Sequence, residues 1–175
     1  MDISWKKLGE TPYKAGYRKM IKKEFQLPDG RISDYDIKDE SKAACIFALT
    51  PEKMVVLAKQ FRPGIEKILL EMPGGMVDEG EDELVGGNRE LMEETGYAGD
   101  ICTRVAECYD CAYSNMVRTV LVVENCKKVQ EPTPEEDEFI EIVEVTIEEF
   151  RALLRSGKMT DVECGYLALD YLGLL

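Results

Sequence analysis

The sequence predicts an α/β (α+β) domain with an antiparallel β element at its amino terminus. Three observations carry that expectation. Strand-length apolar runs recur through the middle of the chain, at Ala43–Leu49, 54–61 and 119–124, and read as core strands. A segment with helical periodicity lies between them, with Leu84, Gly87, Leu91 and Thr95 on one inward face. The chain then closes on two capping-box patterns, Thr146-Ile-Glu-Glu149 and Thr160-Asp-Val-Glu163, each opening a predicted helix.

At 175 residues the chain can enclose one well-buried core. Its 45% apolar and 33% charged residues are ordinary for a soluble globular domain. The net charge of −13 argues against long nucleic acids, which require a basic footprint. A small phosphorylated metabolite remains compatible, because a bound divalent cation inverts the local field. Apolar runs such as Met54-Val55-Val56-Leu57-Ala58 are strand-length, so no membrane span is expected. No secretory pattern follows Met1, and the expected location is the cytoplasm. The six cysteines, Cys45, Cys102, Cys108, Cys111, Cys126 and Cys164, do not suit a secreted disulfide framework in a chain this long. Cys108-Tyr-Asp-Cys111 has CxxC spacing, but with no second CxxC and no histidine, buried thiols are expected there rather than zinc.

Residues 1–40 form the amino-terminal element and 41–175 the main domain. Two extended runs, 17–27 and 31–38, are joined by Pro28-Asp29-Gly30, in which proline fixes φ and glycine accepts positive φ. An isolated hairpin is marginal in water, so it must lie on the main domain or on a second subunit. Trp5 either packs beneath the hairpin or stacks on a base. In the main domain, the strand at 54–61 runs into Arg62-Pro63-Gly64, and a short strand at 68–72 feeds a tight glycine turn, Pro73-Gly74-Gly75. Gly86-Gly87 is unexpected inside a helix, where each glycine costs roughly 1 kcal/mol relative to alanine. Either it leaves room on the polar face, or the helix begins after it. Strands follow at 99–107 and 139–145, with loops at 108–118 and, rich in Pro and acids, at 131–138. Gly157 stops the first closing helix, and Tyr166, Leu167, Tyr171 and Leu172 are the expected apolar stripe of the second.

The polar face of the central helix carries the chemistry. Glu90, Glu93 and Glu94 stand at i, i+3 and i+4, so their carboxylates share one face within a turn. Like charges at that spacing destabilise a bare helix by roughly 0.2–0.5 kcal/mol per pair. A divalent cation, which takes hard oxygen ligands, offsets the repulsion directly; a merely solvated acidic face is the alternative. The fuller pattern decides between them. Gly75 is followed after five residues by Glu81, and after seven more by Arg89-Glu90-Leu91-x-Glu93-Glu94-x-Gly96-Tyr97. This resembles the Nudix box at every position but the last, where Tyr97 replaces the usual aliphatic residue.

The resemblance extends beyond the box. Lys59-Gln60-Phe61-Arg62-Pro63, Leu70-Glu71-Met72-Pro73-Gly74-Gly75 and Glu136-Asp137-Glu138-Phe139 are similar to the ADP-ribose and nucleotide-sugar pyrophosphatase branch of the Nudix hydrolases. The resemblance implies a mixed β-sheet sandwiched between helices. It also implies a homodimer across which the amino-terminal element is exchanged, helping to build the substrate pocket. Mg²⁺, or Mn²⁺, would be held by Glu90, Glu94 and the backbone carbonyl of Gly74, with Glu81 acting through water. Glu93 pairs with Arg89 to hold the loop against the helix. Glu138, or Glu136 in its place, orients or deprotonates the attacking water. Arg62 binds diphosphate or ribose oxygens, Trp5 stacks on the base, and Ser114 stands in the loop at the substrate site. The implied reaction converts ADP-ribose to AMP and ribose 5-phosphate. ADP-ribose-specific members carry a proline in the loop beyond the box, where this chain has Asp110-Cys111-Ala112. GDP-mannose and UDP-glucose therefore stay open as substrates. So does a non-catalytic nucleotide sensor, against which the intact Glu90, Glu93 and Glu94 set speaks.

Overall fold

The computed structural model describes residues 3–40, 42–133 and 139–175. They group into two units, one holding the residues up to 40 with 109–117, the other holding the rest.

The first unit is an antiparallel sheet of β1 (Lys6–Ala15), β2 (Arg18–Gln26) and β3 (Ile32–Lys38), in that order. The β2–β3 hairpin is the one expected, and its turn is fixed by the Asp29 carboxylate, which accepts from the Arg31 N–H and Nε–H. Strand β1 was not anticipated. Its sequence, KKLGETPYKA, is exposed at every position, so it has no apolar alternation to betray it. Pro12 is tolerated because β1 is an edge strand. Residues 109–117 join this unit through the Lys38–Ser114 bridge and the Lys38 N–H, which donates to the Tyr113 carbonyl.

The second unit contains β4 (Ala43–Leu49), β5 (Met54–Arg62), β6 (Lys67–Glu71), β7 (Gly74–Met76), α1 (Glu83–Thr95), β8 (Tyr97–Ala98), β9 (Ile101–Tyr109), β10 (Val117–Glu124), β11 (Lys127–Lys128), β12 (Glu141–Thr146), α2 (Ile147–Ser156) and α3 (Val162–Tyr171). Its sheet runs β12-β5-β4-β10-β9, with β6 added to β5 and β7 to β4. Strands β4 and β10 are parallel while β4–β7, β5–β6 and β5–β12 are antiparallel, so the sheet is mixed.

Strand β4 is buried throughout because both its faces are covered. Cys45, Phe47 and Leu49 pack with Phe150 and Leu154 of α2 and with Ala168 and Leu169 of α3. The alternate residues Ala44, Ile46 and Ala48 pack on the other side with Leu91 of α1. The sheet is thus sandwiched between helices, as expected.

Helix α1 starts before the glycine pair, capped by Asp82, whose carboxylate accepts from the Leu84 and Val85 N–H groups. Neighbouring side chains lie close over both glycines. A Cβ on Gly87 would lie 2.2 Å from Leu121 Cδ1, and one on Gly86 would lie 2.7 Å from Glu81 Oε2. Three other expectations need correction. The glycine segment is no tight turn: residues 74–76 form β7, because Gly74 and Gly75 find ladder partners in Cys45 and Ala44. The capping box at Thr146 and Glu149 forms, but the one at Thr160 does not; the Thr160 hydroxyl donates to Glu71 instead. Helix α3 buries Cys164, Gly165, Ala168 and Leu169; of the expected stripe, Leu167 and Leu172 pack against the core while Tyr166 and Tyr171 are exposed.

Tyr97, the departure from the box, donates its phenol proton to Glu144 Oε1 at 2.5 Å. Burial and then this carboxylate push the phenol pKa from 10.0 to about 12. An unfolded tyrosine loses its proton first, so the phenol's contribution is whole below pH 10 and is lost as pH rises through about 12. The stability difference between wild type and Tyr97→Phe should be constant below that window and shrink across it. Paired denaturant titrations at several alkaline pH values check this; a difference that stays flat would mean that the phenol ionises like a free one.

Candidate active site

The geometry of the box is set by β7 lying beside α1. Glu94, on the inner edge of the helix, is only 5% exposed, and its Oε2 accepts from the Gly74 N–H at 2.9 Å. Glu90 lies over the next residue: a Cβ on Gly75 would come within 2.4 Å of Glu90 Oε2. The two carboxylates therefore face a stretch of backbone kept bare of side chain. Hard oxygens on such a cradle suit a hard divalent cation.

Arg89 is the hub of the cluster. Its guanidinium donates to Glu81 at 3.2 and 3.0 Å, to Glu90 at 2.9 Å, to Glu93 at 3.0 Å and to the Met76 carbonyl at 3.3 Å. These carboxylates hold the guanidinium firmly protonated, Glu81 above all. In return Arg89, helped by the Asp78 N–H, lowers the Glu81 pKa. One guanidinium against Glu81, Glu90, Glu93 and Glu94 leaves the cluster negative. Gly74, Glu81, Arg89, Glu90, Glu93 and Glu94 are thus brought together in one place. Glu136 and Glu138 lie outside the described residues.

Arg62, at the end of β5, donates from Nε to Glu71 Oε2 at 2.6 Å, and its side chain stays partly exposed. Glu71 is 1% exposed and also accepts from Thr160 Oγ1 at 2.7 Å. Sequence reasoning gave Glu71 no role of its own, since nothing local marks a strand-end carboxylate as buried. Arg62→Ala would leave a buried carboxylate with Thr160 as its remaining side-chain donor, a loss of about 2 kcal/mol. Urea denaturation of the variant tests this, and an unchanged midpoint would show that the pair contributes nothing to stability.

Trp5 and Ser114 fall in the first unit and line one cavity there, of about 390 Å³. Its aromatic wall is Trp5, with ring centroids 5.4 Å from Tyr35 and 6.0 Å from Phe25, and Tyr113 closes it. Phe25, Tyr35 and Tyr113 were not singled out in the sequence; strand alternation could have placed Phe25 of β2 and Tyr35 of β3 on one face, but Tyr113 lies in the loop between β9 and β10 and carries no such signal. Ser114 is held by hydrogen bonds from its hydroxyl to Glu40 and from the Met116 N–H to its oxygen.

A carboxylate-bearing helix thus lies beside a glycine strand, on a mixed sheet between helices. The chain belongs to the Nudix family, whose NUDIX domain matches residues 39–162. The ADP-ribose pyrophosphatase of Bacillus subtilis is 32% identical over 151 residues, covering 85% of this chain and 81% of that protein. The methanol dehydrogenase activator of Bacillus methanolicus is 30% identical over 154 residues, again 85% and 81% of the two chains. Among solved structures, the crystal structure of an ADP compounds hydrolase superposes with a TM-score of 0.80 at 17% identity over 100% of both chains, a likeness of fold.

Proposed function

We propose that the chain hydrolyses the pyrophosphate of a nucleoside diphosphate linked to a sugar, with ADP-ribose as the first substrate and GDP-mannose and UDP-glucose as alternatives. The observation that carries this is the convergence of Glu90 and Glu94 on the bare backbone of Gly74 and Gly75, with Arg89 binding the flanking carboxylates. The likeness to an ADP-ribose pyrophosphatase supports the choice of substrate.

Glu90, Glu94 and the Gly74 carbonyl would hold a divalent cation, Mg²⁺ or Mn²⁺, with Glu81 reaching it through water. Such a cation, when bound, neutralises diphosphate oxygens and acidifies a water molecule. Arg89 fixes Glu90 and Glu93 against β7, so the ligand oxygens need little reorganisation. Glu138, or Glu136, takes the proton of the attacking water. The water oxygen bonds to phosphorus, the bridging P–O bond breaks, and its electron pair leaves with the departing phosphate. ADP-ribose and water thus become AMP and ribose 5-phosphate. Arg62, oriented by Glu71, binds diphosphate or ribose oxygens. Trp5, in its aromatic setting, stacks on the base, and Ser114 offers a polar contact. The enzyme works in the cytoplasm as a homodimer, with the amino-terminal unit exchanged as a pocket-building arm. Among the described residues no helix is long and apolar enough to cross a membrane.

The test is product release from ADP-ribose, GDP-mannose and UDP-glucose, each with Mg²⁺ or Mn²⁺ and with EDTA. Cleavage of ADP-ribose above the others, abolished by EDTA, is the expected result. Preference for another sugar nucleotide would move specificity to the 110–115 loop. No turnover of any of them, with nucleotide binding retained, would make the chain a sensor.

A further inference from the structure

A chemically different set of ligands lies on the face of the sheet away from α1. Cys45 of β4, Cys108 of β9 and Cys164 of α3 meet there, within the second unit. Cys164 Sγ stands 3.3 Å from Cys108 Sγ. It belongs to two donor triads, one with Cys45 and Asp161, the other with Cys108 and Glu163, and within each triad the ligand atoms lie within 4.8 Å of one another. Cys45 and Cys164 are buried and Cys108 is half-buried. We propose that Cys164, flanked by Cys45 and Cys108 and completed by a carboxylate of Asp161 or Glu163, is the centre of a binding site for a thiophilic, zinc-like divalent cation.

The spacing suits it. Tetrahedral coordination with Zn–S bonds of about 2.3 Å puts sulfurs about 3.8 Å apart, a separation that lies between the observed 3.3 Å and the 4.8 Å bound. Cys164 sits in the first turn of the ten-residue α3, where the partial positive charge of the helix end favours a thiolate. Arg118 pairs with both Asp161 and Glu163, which holds the carboxylates beside the sulfurs. Each thiol that binds the ion releases its proton, so the dication offsets two of the three thiolate charges, and binding strengthens as pH rises. Ligand softness separates the two centres: sulfur selects zinc-like ions, whereas the all-oxygen cluster around Glu90 and Glu94 selects hard ones. A filled thiol site would tie β4, β9 and α3 together.

The test is titration of the reduced full chain with Cd²⁺ in excess Mg²⁺, reading the ultraviolet thiolate-to-metal absorption, and with Zn²⁺, reading the melting temperature. The absorption should rise to saturation at stoichiometric Cd²⁺, and Zn²⁺ should raise the melting temperature. Cys164→Ala should lose the absorption and Cys108→Ser should weaken it, while Cys111→Ser and Glu94→Gln keep it. Should Cys164→Ala fail to fold, Cys108→Ser, at the half-buried position, decides. The proposal is overturned if stoichiometric Cd²⁺ gives no absorption, if Cys108→Ser leaves it at full strength, or if it disappears with Glu94→Gln. It is likewise overturned if Cd²⁺ is not bound and glutathione disulfide consumes Cys108 and Cys164 as a pair.

Discussion

Glu94→Gln is expected to lower the rate of pyrophosphate cleavage by roughly two to three orders of magnitude while the chain stays folded. The reason lies in the double role of this side chain. It is buried, and its Oε2 accepts from the Gly74 N–H, so one part of its work is to hold β7 against α1. Glutamine has the same length and keeps a carbonyl oxygen in that place, so the hydrogen bond and the packing survive. What disappears is the negative charge. If that charge serves to hold a divalent cation against diphosphate oxygens, its loss removes several kcal/mol of transition-state stabilisation, each 1.36 of them being about tenfold in rate. The measurement is kcat on ADP-ribose at saturating Mg²⁺, with circular dichroism as the control for folding. A variant that turned over at the wild-type rate would reduce Glu94 to a structural clasp, and the ligand set would have to be redrawn around Glu90.

Gly74→Ala is expected to destabilise the fold by about 3 kcal/mol, the upper end of what overpacking costs. Gly74 has φ of 156° and faces Cys45 across the β4–β7 ladder. A Cβ there would lie 2.1 Å from the Ala44 carbonyl oxygen and 3.2 Å from Cys45 Cα. Those are backbone atoms of the central strand, which cannot swing aside as a side chain would. Relief has to come from moving β7 away from β4, and that movement also carries the Gly74 N–H away from Glu94. Stability and activity should therefore fall together, in contrast to Glu94→Gln, where activity alone falls. Guanidinium denaturation alongside the same kinetic assay separates the two patterns. If Gly74→Ala kept its wild-type midpoint, β7 could shift freely and the close approach would impose no constraint.

The elements that were legible in the sequence are those whose signal is local. Helix α1 shows its inward stripe at Leu84, Gly87, Leu91 and Thr95 within a few turns of chain, although its start at the Asp82 cap, before the glycine pair, came only from the structure. Strand β4 and the 120–123 stretch of β10 announce themselves as unbroken apolar runs because helices cover both faces of the sheet. Strand β1 lacked such a signal: exposed at every position, it is a strand because β2 offers a ladder from Lys6 to Ala15. The expected cap at Thr160 failed for a related reason. Its hydroxyl goes to Glu71, 89 residues away, and no local pattern reports a competitor at that distance.

The same division holds in the site. The sequence by itself determined which carboxylates share a helix face, because the helical period places Glu90, Glu93 and Glu94 together whatever surrounds them. It also placed Arg89 within reach of Glu93, one turn away, a pair now seen at 3.0 Å. Only the tertiary structure decided that Glu94 is buried on Gly74, that Glu90 overlies Gly75, and that Arg89 also reaches Glu81. Only the tertiary structure gathered Cys45, Cys108 and Cys164, whose positions show no motif spacing. The physical reason is common to both: spacing along one helix is set by bonded geometry, whereas strand pairing and the packing of helices on a sheet bring together residues whose separation along the chain carries no information about their distance.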